Sequence, residues 1–89
     1  MGETESLRRV IQDRHDVWCT FIRQESVREA TWSGKVHVFS CTDHPAMLVY
    51  AWAEKAAGAE RVVTIPAKDG IRSARDAVRA HLGGMVGGA

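Results

Sequence analysis

The side chains here that could ligate a metal fall into two short pairs. His15 and Cys19 are four positions apart, which on a helix places them on one side, and Cys41-x-x-His44 sits where a strand would end. Together they could form the tetrahedral nitrogen–sulfur set that zinc takes. No C-x-x-C spacing supports it, and cysteine as a small buried hydrophobe with histidine at the surface explains the same residues. The expectation is therefore no metal and no cofactor. Nucleophilic chemistry at Cys41 would need a histidine within hydrogen-bond reach. His37 shares a strand face with Cys41 but stands about 13 Å away along it. His44 could approach across a loop, with only its neighbour Asp43 to orient it. No catalytic residue is assigned and a non-enzymatic protein is expected.

Two further constellations could bind. Arg72, Arg75 and Arg79 are spaced three and four apart on a helical pattern, with Lys68 just before them. Such a ridge could hold phosphates or an acidic partner. Asp69 and Asp76 balance it in part, and a solvated face is the plainer account. Trp32, Phe39, Tyr50 and Trp52 could stack on bases, but aromatics at strand spacing usually form the core beneath helices.

The elements that must position these residues are few. With 89 residues, 45% apolar, 26% charged and a formal net charge of +1, the chain reads as one small domain with no bulk attraction to nucleic acid or anionic lipid. The expected extent is residues 1–84, with 85–89 as a flexible tail. No apolar run is long enough for a membrane span, and MGETESLRRV lacks the basic and apolar regions of a secretory signal. Two cysteines are too few for a disulfide framework, so a cytoplasmic protein with reduced thiols is expected.

Leu7, Val10, Ile11, Val17, Trp18, Phe21 and Ile22 follow helical spacing and predict an amphipathic helix from 5 to about 23. From Val27 to Trp32 residues alternate as in a strand, Ser33-Gly34 offers a turn, and Lys35 to Cys41 predicts a second strand. In that strand Val36, Val38 and Ser40 take one face, and His37, Phe39 and Cys41 the other. His44-Pro45 breaks it. Residues 46–57 suit a helix by propensity and a strand by alternation, and periodicity alone leaves both open. Arg61 to Pro66 predicts a strand. Ile71 to Leu82 predicts a closing helix, stopped by Gly83-Gly84.

Trp32, Gly34, Val36, Val38 and Phe39, then His44-Pro45-Ala46 and Tyr50-Ala51-Trp52, resemble a pattern of small uncharacterised bacterial proteins: W-x-G-x-V-x-V-F, H-P-x-A, Y-A-W, a strand ending in Pro and a terminal helix. Ile65-Pro66 and Ala74 to Ala80 stand for the last two elements, so the likeness spans about Thr31 to Leu82. The chain departs where Ala46 follows Pro45 directly and where AEKAAGAE replaces a charged turn. The resemblance implies architecture only, and it favours a strand over 47–54. The resulting order is also similar to the double-stranded RNA-binding domain, whose last helix opens with Ser and lysines. Ser73 and Arg75 fit, whereas Ala74 and Val78 stand where lysines belong, so RNA binding is not implied.

The expected fold is α+β, a two-layer sandwich of helix, three or four antiparallel strands and helix, with both helices on one face. The expected function is an interaction or regulatory module binding a protein partner or itself as a homodimer. A nucleic-acid-binding domain using Lys68, Arg72, Arg75 and Arg79 is the alternative.

Overall fold

The computed structural model describes residues 2–29, 32–43, 47–56, 59–67 and 71–87. Helix α1 runs Glu3–His15, with Glu3 and Glu5 in its first turn and Arg14 and His15 in its last, as the helix dipole favours. It buries Leu7 and Ile11. Asp16 then turns left-handed at φ 54° and ψ 42°, and its N–H bonds the Gln12 carbonyl at 2.9 Å. Aspartate tolerates that conformation, and the helix ends there.

The helix expected to reach residue 23 therefore stops eight residues short, at His15. The chain re-enters as strand β1, Cys19–Arg28. Val17, Trp18, Thr20, Phe21 and Ile22 are β-branched or aromatic, poor helix formers that fit a pleated surface. Strand β2 spans Ser33–Cys41. Glu29 and Trp32 exchange backbone hydrogen bonds of 2.7 and 3.4 Å, so the connection lies between them, and the turn expected at Ser33-Gly34 is strand instead. A side-chain carbon on Gly34 would come within 3.0 Å of the Trp32 ring, and this close approach is what the glycine permits.

Strands β3, Leu48–Ala56, and β4, Ala59–Pro66, complete an antiparallel meander in the order β1-β2-β3-β4. The strand reading of 47–54 is the one the fold adopts. Helix α2 spans Ala74–Gly87. Ser73 caps it, its hydroxyl accepting the Asp76 N–H at 3.1 Å, while the Asp76 carboxylate accepts the Arg72 N–H at 3.1 Å. The helix passes through Gly83-Gly84, where an end was expected, and takes in residues 85–87 of the supposed tail. Glycine weakens a helix by about 1 kcal/mol yet, unlike proline, keeps its N–H and clashes with nothing.

The α+β class and the order helix, four antiparallel strands, helix are as expected. The helices do not share a face, however. Leu7 and Ile11 of α1 pack with Cys19, Phe39, Cys41, Val49 and Ala51. Ala74, Ala77 and Val78 of α2 pack with Val27, Val36, Val38, Tyr50, Trp52 and Val63. Along β2 and β3 these are alternate residues, hence opposite faces of one sheet. Both faces of the two central strands are apolar, so each needs a cover, and one helix goes to each.

Candidate interaction edge

The proposed metal ligands are separated by the fold. His15 Nε2 lies 2.9 Å from Thr64 Oγ1 on β4, at one edge of the sheet. Cys19 and Cys41 oppose each other on β1 and β2, toward the other edge, and both are buried. The helix that was to align His15 with Cys19 ends between them. His44 lies outside the described residues. No group of three or more potential ligands forms among the described residues.

His37 is buried against two aromatic rings that also touch each other, its centroid 5.7 Å from Phe21 and 6.4 Å from Phe39. The Gln24 amide donates to its Nε2 at 2.9 Å, and Nδ1 has no partner among the described residues. Burial pushes the imidazole pKa down, against the opposing pull of Glu3, whose carboxylate is 3.9 Å away. Burial also pushes the Cys19 and Cys41 thiols up. At neutral pH this face presents a neutral ring and protonated thiols, the reverse of an activated cysteine–histidine pair.

The arginine ridge is partly occupied. Arg75 and Arg79 both pair with Glu29, at 3.4 and 3.1 Å, just beyond the end of β1. Arg72 joins the ridge at the capped start of α2, and Lys68 lies outside the described residues. Of the aromatics considered for stacking, Phe39, Tyr50 and Trp52 are buried and Trp32 packs beside Trp52 at 5.7 Å. His81 meets Trp52 edge-on and approaches Glu54 at 3.0 Å. Burial alone would raise the Glu54 pKa, but the hydrogen bonds from His81 and Arg61 help hold it below the usual carboxylate range.

What stands out on the surface is apolar. Trp18 is 60% exposed, Phe21 38%, Ile22 43% and Met47 42%. Three backbone contacts put them at one corner. The Trp18 carbonyl accepts the Thr42 N–H at 2.8 Å, the Met47 carbonyl accepts the Cys41 N–H at 3.1 Å, and Phe21 pairs with Phe39 in the β1–β2 register. Ile22 falls at a register shift between Phe21 and Arg23, a bulge that leaves it without a counterpart on β2. Arg8 of α1 lies 5.6 Å from the Trp18 ring centre. A helical reading placed Val17, Trp18, Phe21 and Ile22 in the core, so the surface was not visible from sequence. Their β-branched and aromatic density was the signal.

The two sheet edges differ. On β4 the Arg14 guanidinium donates to the Val62 carbonyl at 2.6 Å, covering a backbone acceptor of that edge. β1 is the other outermost strand, ten residues long, and it bears the exposed Phe21 and Ile22. An uncovered edge is a template for another strand. Comparison with known proteins adds no relative, since no family model, curated protein or solved structure matches this chain. No described helix is long and apolar enough to cross a membrane.

Proposed function

We propose that this chain is a non-enzymatic interaction module that pairs with a second copy of itself along the β1 edge. The observation that carries the reading is the coincidence of an outermost strand with a corner of exposed apolar side chains. Charge supports the choice of a second copy. Arg23 and Glu25 share a face of β1 and pair at 2.7 Å, flanking Gln24. An antiparallel copy centred on Gln24 sets Arg23 opposite Glu25 twice, so the strand is complementary to itself. Each opposite-charge pair across strands contributes about 0.2–1 kcal/mol. The apolar corner adds burial on both sides of the axis. The arginine ridge favours the alternative, nucleic acid, less well, because Glu29 already neutralises part of it.

The test is sedimentation equilibrium across protein concentration. Wild type should reach a dimer, Glu25→Arg should shift it to monomer by setting Arg23 against arginine, and the swap Arg23→Glu with Glu25→Arg should restore it. A wild-type monomer throughout, or a dimer indifferent to Glu25→Arg, would remove the reading. Retention of a polynucleotide that falls steeply with salt and with Arg72, Arg75 and Arg79 made alanine would favour the alternative.

A further inference from the structure

We infer that Cys19 and Cys41 form a cross-strand dithiol that closes to an intramolecular disulfide by exchange with small-molecule disulfides. Three observations place the two sulfurs together. The residues face each other directly in the β1–β2 register. The ladder hydrogen bond from Thr42 N–H to the Trp18 carbonyl, at 2.8 Å, lies one step outside them, which makes Cys19 and Cys41 a non-hydrogen-bonded pair. In such a pair the Cα atoms approach to about 4.5 Å and the side chains come closer still, inside the range a disulfide bridges. Both side chains also point to the same face, into the cluster under Leu7 and Ile11. Both thiols are free, and closing the bond needs no change of register.

Access decides the order of events. Cys41 sits on an interior strand and is held on its far side by the Met47 carbonyl at 3.1 Å. Cys19 is the first residue of an edge strand, next to the exposed Trp18, where local opening is easiest. The Cys19 thiolate attacks one sulfur of a reagent R–S–S–R. The reagent bond breaks, one R–SH leaves with a proton, and a mixed disulfide remains on Cys19. The Cys41 thiolate then attacks the Cys19 sulfur and expels the second R–SH. Two cysteine thiols are oxidised, one reagent disulfide is reduced to two thiols, and both protons leave with those thiols. Burial raises both cysteine pKa values, so the exchange is slow at neutral pH and quickens as pH rises. The inference does not depend on pairing of two copies.

The experiment is native incubation of the reduced, full-length chain with excess oxidised glutathione, followed by intact-mass measurement and thermal melting. The chain has only two cysteines, so a monomer that loses two hydrogens and carries no adduct contains this bond. That product should melt about 10 °C or more above the reduced chain, a gain that dithiothreitol reverses. Cys41→Ala should stop at one glutathione on Cys19. If that variant does not fold, the wild-type masses still decide. Unchanged wild-type thiols, a persistent glutathione adduct, or a disulfide between chains would each overturn the inference.

Discussion

Ile11 and Ile22 are the same residue, and the sequence alone places both on one helical stripe. The structure gives them opposite fates. Ile11 is fully buried beneath α1, whereas Ile22 is 43% exposed at the β1 bulge. Replacing Ile11 with alanine removes a packed side chain and leaves an enclosed cavity, a loss of about 3 kcal/mol within the usual 2–5. At Ile22 only part of the side chain is shielded, full burial is worth about 1.5–3 kcal/mol, and an open surface leaves no cavity. The loss there is about 1 kcal/mol. With a urea slope of about 1 kcal/mol per molar for a domain of this size, the two midpoints should differ by about 2 M. Urea unfolding followed by circular dichroism measures this, at protein concentrations low enough that self-association adds no stability. Equal midpoints would refute the strand assignment of residues 19–28 and restore the long helix.

Acid should weaken the fold through His37. Its pKa is lowered from the ordinary 6.5, so the unfolded chain takes up a proton that the folded ring refuses. The stability this supplies is complete above 6.5 and is lost as pH falls toward the folded value. His37→Phe should flatten the slope of stability between pH 7 and 5, and an unchanged slope would exonerate the ring. Ser73→Ala removes the α2 cap and should cost about 1 kcal/mol, read as a melting temperature lower by about 4–8 °C. Gly34→Ala should displace the Trp32 ring and cost about 1–3 kcal/mol, with a changed near-ultraviolet dichroism as its signature.

The alternation of Val36 and Val38 against His37, Phe39 and Cys41 was legible in the sequence, whereas over 46–57 periodicity left helix and strand both open and only the resemblance favoured the strand. In the first run β-branched and aromatic residues agree with the period of two, while in the second Ala, Met, Leu, Glu and Lys favour a helix against it. Residues 17–22 were not legible, because over so short a run helical spacing and strand alternation select overlapping residues. The poor helix propensity of Val17, Thr20 and Ile22 was the better guide, together with Asp16 as a left-handed stop. Both faces of 36–41 and 49–52 are apolar, which already asks for cover on two sides. The exposed corner was hidden for another reason. Which strand lies outermost depends on strand order, and no local pattern encodes it. Arg75 and Arg79 were placed on a helix correctly, but their partner Glu29 lies just beyond β1, far away in the sequence.

The division of the core between two faces has a consequence for how the chain comes to be folded. The side under α1 draws on Phe39, Val49 and Ala51 and also on Val62 of β4, so it closes only once all four strands exist. The other side holds Tyr50 and Trp52 and is covered by the last helix to appear. A chain truncated before α2 would therefore leave the face of Tyr50 and Trp52 bare. Such a truncated chain would expose that apolar face and aggregate through it.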